Sequence, residues 1–262
     1  MMNSQSMATE SLDFYDVSSS DILRWDKEWA RYLCKYHGNR YFSSLTDRNS
    51  QVSKFIKDIS KLRADEVYDF KGPASLINIW CDSDNIVGKK IVELGCGPGQ
   101  LGKQLGHLAV HYLGLDYSNL ALYIASIVSP ISCEYINIGD KSSIAKFRNS
   151  RDTVVTRHFY IHQNISNAIW VSRLAHFLLK PGGLLIADFY YPTQEDFDKN
   201  SPNLLPAKSN LQEYPSTVFY FSTDEINEIA NICGFEIVDE KIDSSGKRRF
   251  VQMRKGVNVN AR

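Results

Sequence analysis

Residues 89–102 read KKIVELGCGPGQLG, and the rest of the chain is arranged around them. Ile91, Val92 and Leu94 form a short apolar run broken by one acid, Glu93. Glycines follow at alternate positions, Gly95, Gly97 and Gly99, ahead of a helix-like stretch at 101–105. Glycine admits positive φ and lets the backbone come close to a ligand. A helix start adds unpaired N–H groups. A strand that turns through such glycines into a helix is a nucleotide-binding turn.

Two registers fit the glycines. Gly97, Gly99 and Gly102 match the dinucleotide fingerprint GxGxxG. That register leaves Glu93 and Gly95 inside a strand that dinucleotide proteins usually keep apolar. The other unit is Glu93-Leu94-Gly95-Cys96-Gly97-Pro98-Gly99. It resembles ExGxGxG, the first motif of the class I S-adenosylmethionine-dependent methyltransferases. The resemblance implies that the glycines pass under the adenosine and methionine moieties of S-adenosyl-L-methionine, and that Glu93 orders the loop and the ammonium end. A nicotinamide or flavin enzyme is the alternative.

Composition sets the bounds. The 262 residues, 43% of them apolar, suffice for one large domain or a domain with a cap. Lys plus Arg equals Asp plus Glu, 30 against 30. This balance argues against a protein whose main task is to grip nucleic acid or anionic lipid. The five cysteines are widely spaced and form no CxxC, which fits reduced thiols in the cytoplasm and neither a disulfide frame nor a metal site. The first 20 residues lack a signal-peptide pattern, and no run approaches the ~18 apolar residues of a membrane span.

Residues 1–12, rich in Ser, Thr and Asn, are expected to be disordered, and 13–85 to form a helical cap. Within the cap, a helix capped by Ser20 or Asp21 runs to about Tyr36, stops at Gly38, and carries Ile22, Trp25, Trp29 and Leu33 on one face. That face either packs on the core or forms a lid. A second helix carries Val52, Phe55, Ile56, Ile59 and Leu62 as a stripe, and a third, short one spans 74–81. Strand and helix then alternate, with strands at 110–115, 133–138, 152–156 and 184–189, which signals a parallel sheet. The sequence Leu179-Lys-Pro-Gly-Gly183 and a closing helix, with Thr223 as its cap, and hairpin at 235–254 extend the family resemblance over 86–255. The implied fold is α/β: a Rossmann-like, seven-stranded, mostly parallel sheet with an antiparallel last strand, helices on both faces, and the N-terminal cap. Residues 190–221, with four prolines, read as a lid insertion whose Tyr190, Tyr191, Phe197, Tyr214, Phe219 and Tyr220 line an acceptor pocket, and 256–262 as a loose tail.

Asp116 ends the second strand, 21 positions after Gly95, where an acid accepts bonds from both ribose hydroxyls of an adenosine. Capping of the next helix is its other role. Tyr117 can lie along the adenine. The resemblance implies that Asp140 meets the adenine amino group, with helix capping as the alternative, and that Cys96, Gln100 and Arg157 join the cofactor contacts. Arg157-His-Phe-Tyr-Ile-His162 leaves the fourth strand at the carboxyl edge of the sheet, where open α/β sheets bind ligands. His158, Tyr160 and His162 are therefore the candidates for acceptor chemistry, since a neutral histidine takes a proton from a hydroxyl or ammonium.

The reading is a methyltransferase acting on a hydroxyl or amine of a small, partly apolar molecule, as in natural-product biosynthesis. No NPPY-type motif follows the fourth strand, which disfavours exocyclic amines of nucleobases, and the histidines put oxygen slightly ahead of nitrogen. Methylation of a protein or RNA partner, and a non-catalytic cofactor-binding scaffold, are the rivals. Oligomeric state is not legible.

Overall fold

A computed structural model describes residues 12–41, 83–198, 204–210, 217–243 and 246–257, without the side chains of 32–41. The expectations for 1–11, the helices beyond residue 41, the middle of the 190–221 insertion and the tail from 258 lie outside the described residues.

Helix α1, Ser19–Tyr41, opens the described chain. Ser18 caps it by accepting the Asp21 N–H at 3.2 Å. It runs through Gly38, where a stop was expected, since one glycine costs a helix only about 1 kcal/mol. Then follow β1 (Lys90–Leu94), the four-residue α2 (Gly102–Leu105), β2 (His111–Asp116) and α3 (Asn119–Val128). Next come β3 (Cys133–Asn137), α4 (Lys141–Ala145), β4 (Arg151–Thr156), α5 (Ile165–Leu178) and β5 (Leu179–Tyr190). The insertion supplies α6 (Gln194–Asp198), β6 (Leu204–Pro206) and β7 (Val218–Tyr220). The closing unit is α7 (Thr223–Cys233), β8 (Phe235–Ile242) and β9 (Arg248–Lys255).

Seven strands form one sheet in the order β3-β2-β1-β4-β5-β9-β8. β1 to β5 run parallel, and β9 inserts antiparallel between β5 and β8. The expected hairpin topology is thus observed. Parallel strands covered on both faces need apolar residues at every position, and the pleat divides them between two cores. Val92, Leu94, Val154 and Leu185 face α5 and α7, whereas Ile91, Val155 and Ile186 face Leu101, Leu105 and Tyr112. Glu93 falls on the second face, between these apolar neighbours.

The caps are chemically ordinary. Ser118, Asn164 and Asp140 accept the first free N–H groups of α3, α5 and α4. Ser222, one residue before the expected Thr223, forms a capping box with Glu225, and Gly234 (φ 75°) ends α7. The insertion departs most from expectation. β6 and β7 pair in parallel as a second, small sheet, and Phe219 is fully buried. Phe221 packs edge-on against Phe189 of β5 at 5.1 Å. Phe219 and Phe221 thus belong to the core, whereas Tyr191 and Phe197 are exposed; the Ile165 N–H bonds the Ala207 carbonyl at 2.7 Å and ties the segment to α5.

Candidate active site

Asp116 anchors the glycine turn. Its Oδ2 accepts the Gly97 N–H at 2.9 Å and its Oδ1 the Ser118 N–H at 2.9 Å. One carboxylate therefore ties the turn after β1 to the start of α3. Burial pushes its pKa up to about 6, against the backbone N–H groups that pull it down. With the Tyr117 N–H as a third donor, the carboxylate still keeps acceptor capacity for a ligand hydroxyl. Gly95, Gly97 and Gly99 all have positive φ (74°, 51° and 83°). A Cβ on Gly95 would fall 2.5 Å from the Phe159 ring, and one on Gly97 2.7 Å from Trp29 Cζ2. The turn is a cradle with room for backbone only.

Glu93 is 3% exposed and accepts a hydrogen bond from the Tyr112 hydroxyl. Burial raises its pKa to about 8, opposed by Tyr112 and by the Arg157 charge. A buried acid that can ionise only with help suits a ligand cation. Cys96 is buried beneath the turn against Gly114, and burial keeps its thiol protonated. Its side chain does not face the cradle. Gln100, half-buried, closes the turn. Tyr117 lies between Phe159 and Trp170, stacked on the latter at 6.5 Å.

Asp140 stands apart. Its exposed carboxylate accepts the Ser142 hydroxyl at 2.8 Å and the Ser143 N–H at 3.1 Å. Those bonds hold its pKa down to about 2. The capping alternative describes its contacts. Tyr160 must also be corrected as a catalytic candidate. It is fully buried, its hydroxyl sits 2.6 Å from Ser172 Oγ, and its ring packs on Phe189 at 4.6 Å. The 3-10 turn Tyr160–His162 sends Tyr160 into the core and His162 back to the edge.

The carboxyl ends of β4, β5 and the start of β9 meet here. His158, in the left-handed region at φ 53°, donates its backbone N–H to Asp188 Oδ1 at 2.8 Å. Arg248 Nη1 donates to Asp188 Oδ2 at 2.6 Å. Arg157 feels Asp188, Glu93 and Arg248, and burial lowers its pKa to about 10. Burial, followed by the Arg248 and Arg157 charges, pushes His158 well below the usual imidazole range. His162 bonds the Thr217 backbone, and burial brings its pKa down to about 4. Its Nδ1 is sealed from water with no partner among the described residues. Asp188 and Arg248 were not singled out from the sequence. The one local signal was an acid inside the apolar run LLIADF.

Helix α1 covers this edge. Trp29 rests on Gly97, Trp25 meets His162 edge-on at 5.5 Å, and Ile22 sits over Gly139. Residues four apart share a helix face, so the glycine turn and His162 lie under neighbouring turns of α1. Asp26, between the tryptophans, accepts the Ser118 hydroxyl at 2.7 Å and the Leu120 N–H at 3.0 Å.

No protein-family model matches the chain. Among curated proteins it is similar to the ubiquinone biosynthesis O-methyltransferase of Paraburkholderia xenovorans, at 28% identity over 108 residues, 40% of this chain and 46% of the relative. The enzyme of that description from Burkholderia vietnamiensis is 34% identical over the same shares. The aligned region thus spans about half the length of these relatives. Among solved structures, magnesium protoporphyrin IX methyltransferase from Synechocystis PCC 6803, with bound S-adenosylhomocysteine, superposes with a TM-score of 0.56 at 17% identity, covering 91% of this chain and 100% of that one. A Methanosarcina mazei S-adenosylmethionine-dependent methyltransferase gives 0.54 at 17% identity, over 72% and 100%. Sheet order and these superpositions give the chain the fold of the S-adenosylmethionine-dependent methyltransferases, and its sequence is similar to the curated O-methyltransferases over 108 residues.

Proposed function

We propose that this chain transfers a methyl group from S-adenosyl-L-methionine to a hydroxyl oxygen of a small, partly apolar molecule. One observation carries the reading: the Asp116-anchored glycine turn and the sealed His162 lie under one face of α1. The curated relatives and the neutral overall charge support a small acceptor over a nucleic acid. Among the described residues no helix is long and apolar enough to cross a membrane, and the free cysteines fit the cytoplasm.

The turn at Gly95, Gly97 and Gly99 holds the cofactor backbone-to-ligand, Asp116 takes the ribose, Tyr117 flanks the adenine and Glu93 meets the ammonium. When bound, the cofactor supplies a methyl group already activated by a positive sulfur. The protein's share is alignment and the exclusion of water. Trp25 and Trp29 provide the exclusion, and α1 acts as the lid that moves for cofactor entry. His162 donates one ring nitrogen to the Thr217 carbonyl, which leaves Nδ1 to accept the acceptor's hydroxyl proton. His162→Ala is expected to lower turnover about 100-fold, the usual worth of a positioned base, with little change in cofactor affinity. Turnover at the parent rate with a panel of phenols and alcohols would remove His162 as the base.

Glu93 gives a pH signature. Its folded pKa, about 8, lies above the unfolded value of about 4.3. Its contribution to stability is therefore complete below about pH 4.3 and lost as pH rises through about 8. A ligand ammonium favours the ionised form, so binding expels a proton. S-Adenosylhomocysteine affinity is expected to rise with pH up to about 8 and then level off. In Glu93→Gln that slope is expected to vanish, and calorimetry in buffers of different ionisation enthalpy reads the proton directly. A slope unchanged in the variant would assign it to another group.

A further inference from the structure

Two tyrosines run beneath the glycine turn. Tyr112 of β2 and Tyr135 of β3 pack with ring centroids 6.1 Å apart, and Tyr112 is fully buried. A Cβ on Gly102 would fall 2.8 Å from Tyr112 Cε1 and closer still to the Tyr135 hydroxyl. The start of α2 therefore approaches the pair only because residue 102 has no side chain. The two hydroxyls serve opposite ends of the turn. Tyr112 donates to Glu93 Oε2, ahead of the glycines. Tyr135 donates to Ser129 Oγ at 2.5 Å, and that oxygen stands 2.9 Å from where a Gly99 Cβ would lie. Burial pushes both phenols above their ordinary range, so each keeps its proton to donate.

Resting on the methyltransferase reading, we propose that Tyr112 is the positioning residue for Glu93: its hydroxyl holds Oε2, leaves Oε1 to the cofactor's ammonium, and helps the carboxyl release its proton when that ammonium arrives. The strand register builds this pair. β1 sets Ile91 opposite Tyr112 and Glu93 opposite Gly114. Tyr112 thus reaches Glu93 along the diagonal between neighbouring strands, beside a residue with no side chain. The chemistry of the donor suits the task. A neutral hydroxyl stabilises a carboxylate without bringing a charge that would pair off the acid before the ligand does. The charged groups acting on Glu93 are Arg157, after β4, which favours its ionisation, and Asp116, at the end of β2, which opposes it. Cys96 and Tyr135 also face it, and burial keeps both protonated. On binding, the Glu93 carboxyl gives its proton to solvent. The ammonium pairs with the charge that remains, and Tyr112 keeps its own proton.

The test titrates S-adenosylhomocysteine into the full chain at about pH 8, where Glu93 is half ionised, in buffers of different ionisation enthalpy. Proton release is read as the excess over Glu93→Gln, which cancels the ligand's own amine. The parent chain is expected to release about half a proton per ligand bound. Tyr112→Phe is expected to release close to a whole one, because loss of a hydrogen bond to a charged group raises the Glu93 pKa by about one unit or more. Tyr135→Phe removes a hydroxyl from the same packed pair and is expected to match the parent. If Tyr112→Phe does not melt cooperatively, a ring-fluorinated tyrosine at position 112 decides. It is a stronger donor and is expected to bring the release below the parent's. Unchanged release in the variant that folds, or an equal rise in Tyr135→Phe, overturns the proposal and leaves Tyr112 as packing. Ligand binding to the parent with no excess over Glu93→Gln overturns it together with the assignment of Glu93 to the ammonium. Failure of S-adenosylhomocysteine to bind the parent chain is a different result, and it overturns the methyltransferase reading itself.

Discussion

A Gly97→Arg chain is expected to fold, to melt cooperatively, and to show no measurable binding of S-adenosylhomocysteine. Gly97 sits at φ 51°, where a side chain costs about 1–2 kcal/mol. Its Cβ would fall 2.7 Å from Trp29 Cζ2, so the new side chain enters the space between the turn and α1. The core below is not disturbed, since Leu94, Leu113 and Leu115 pack under the turn fully buried. Gly99 would be a poorer test. Its Cβ would meet the Ala125 Cα of α3 at 2.8 Å, a backbone clash that threatens the fold along with the site. Retained affinity in Gly97→Arg, read by calorimetry beside a thermal melt, would remove the glycine turn from the site.

Asp116→Ala is the second large effect. Removing the carboxylate leaves the Gly97 and Ser118 N–H groups without their acceptor, and in the proposed binding mode it also removes the acceptor for the ribose hydroxyls. A loss of about 1–3 kcal/mol of S-adenosylhomocysteine affinity is expected, the range for unpaired buried polar groups. Asp116→Asn is expected to recover little, because its amide can accept one N–H and must turn NH₂ toward the other. Unchanged affinity in Asp116→Ala would reduce this acid to a cap for α3.

The contrast between these residues and those at the acceptor end explains what the sequence could reveal. Glu93, the glycines and Asp116 are bound by local rules: a strand end, a tight turn, a helix start. Spacing along the chain therefore carried them, as it carried the strand alternation and the closing hairpin. Asp188 and Arg248 meet only because β9 returns antiparallel beside β5, a register set 60 residues apart in sequence. No local pattern encodes it. Tyr160 and His162 are two residues apart and face opposite ways, since a 3-10 turn and not a strand carries them. Asp26 read as one more acid on a helix, and its contact with Ser118 follows only from where α1 lies. Phe219, expected to line a pocket, lies in the core for a related reason. Low apolar content in the middle of the insertion hid the short strand around Phe219, which pairs with Leu205 and joins the main core.

The central claim is that the turn at Gly95, Gly97 and Gly99 binds an S-adenosyl cofactor and not a dinucleotide. Calorimetric titration of the purified chain with S-adenosylhomocysteine and, separately, with NADH and NADPH tests it most directly. The expected result is micromolar binding of S-adenosylhomocysteine and no heat from either nicotinamide. Binding of NADH or NADPH with none of S-adenosylhomocysteine would contradict the account and move the fingerprint to Gly97, Gly99 and Gly102.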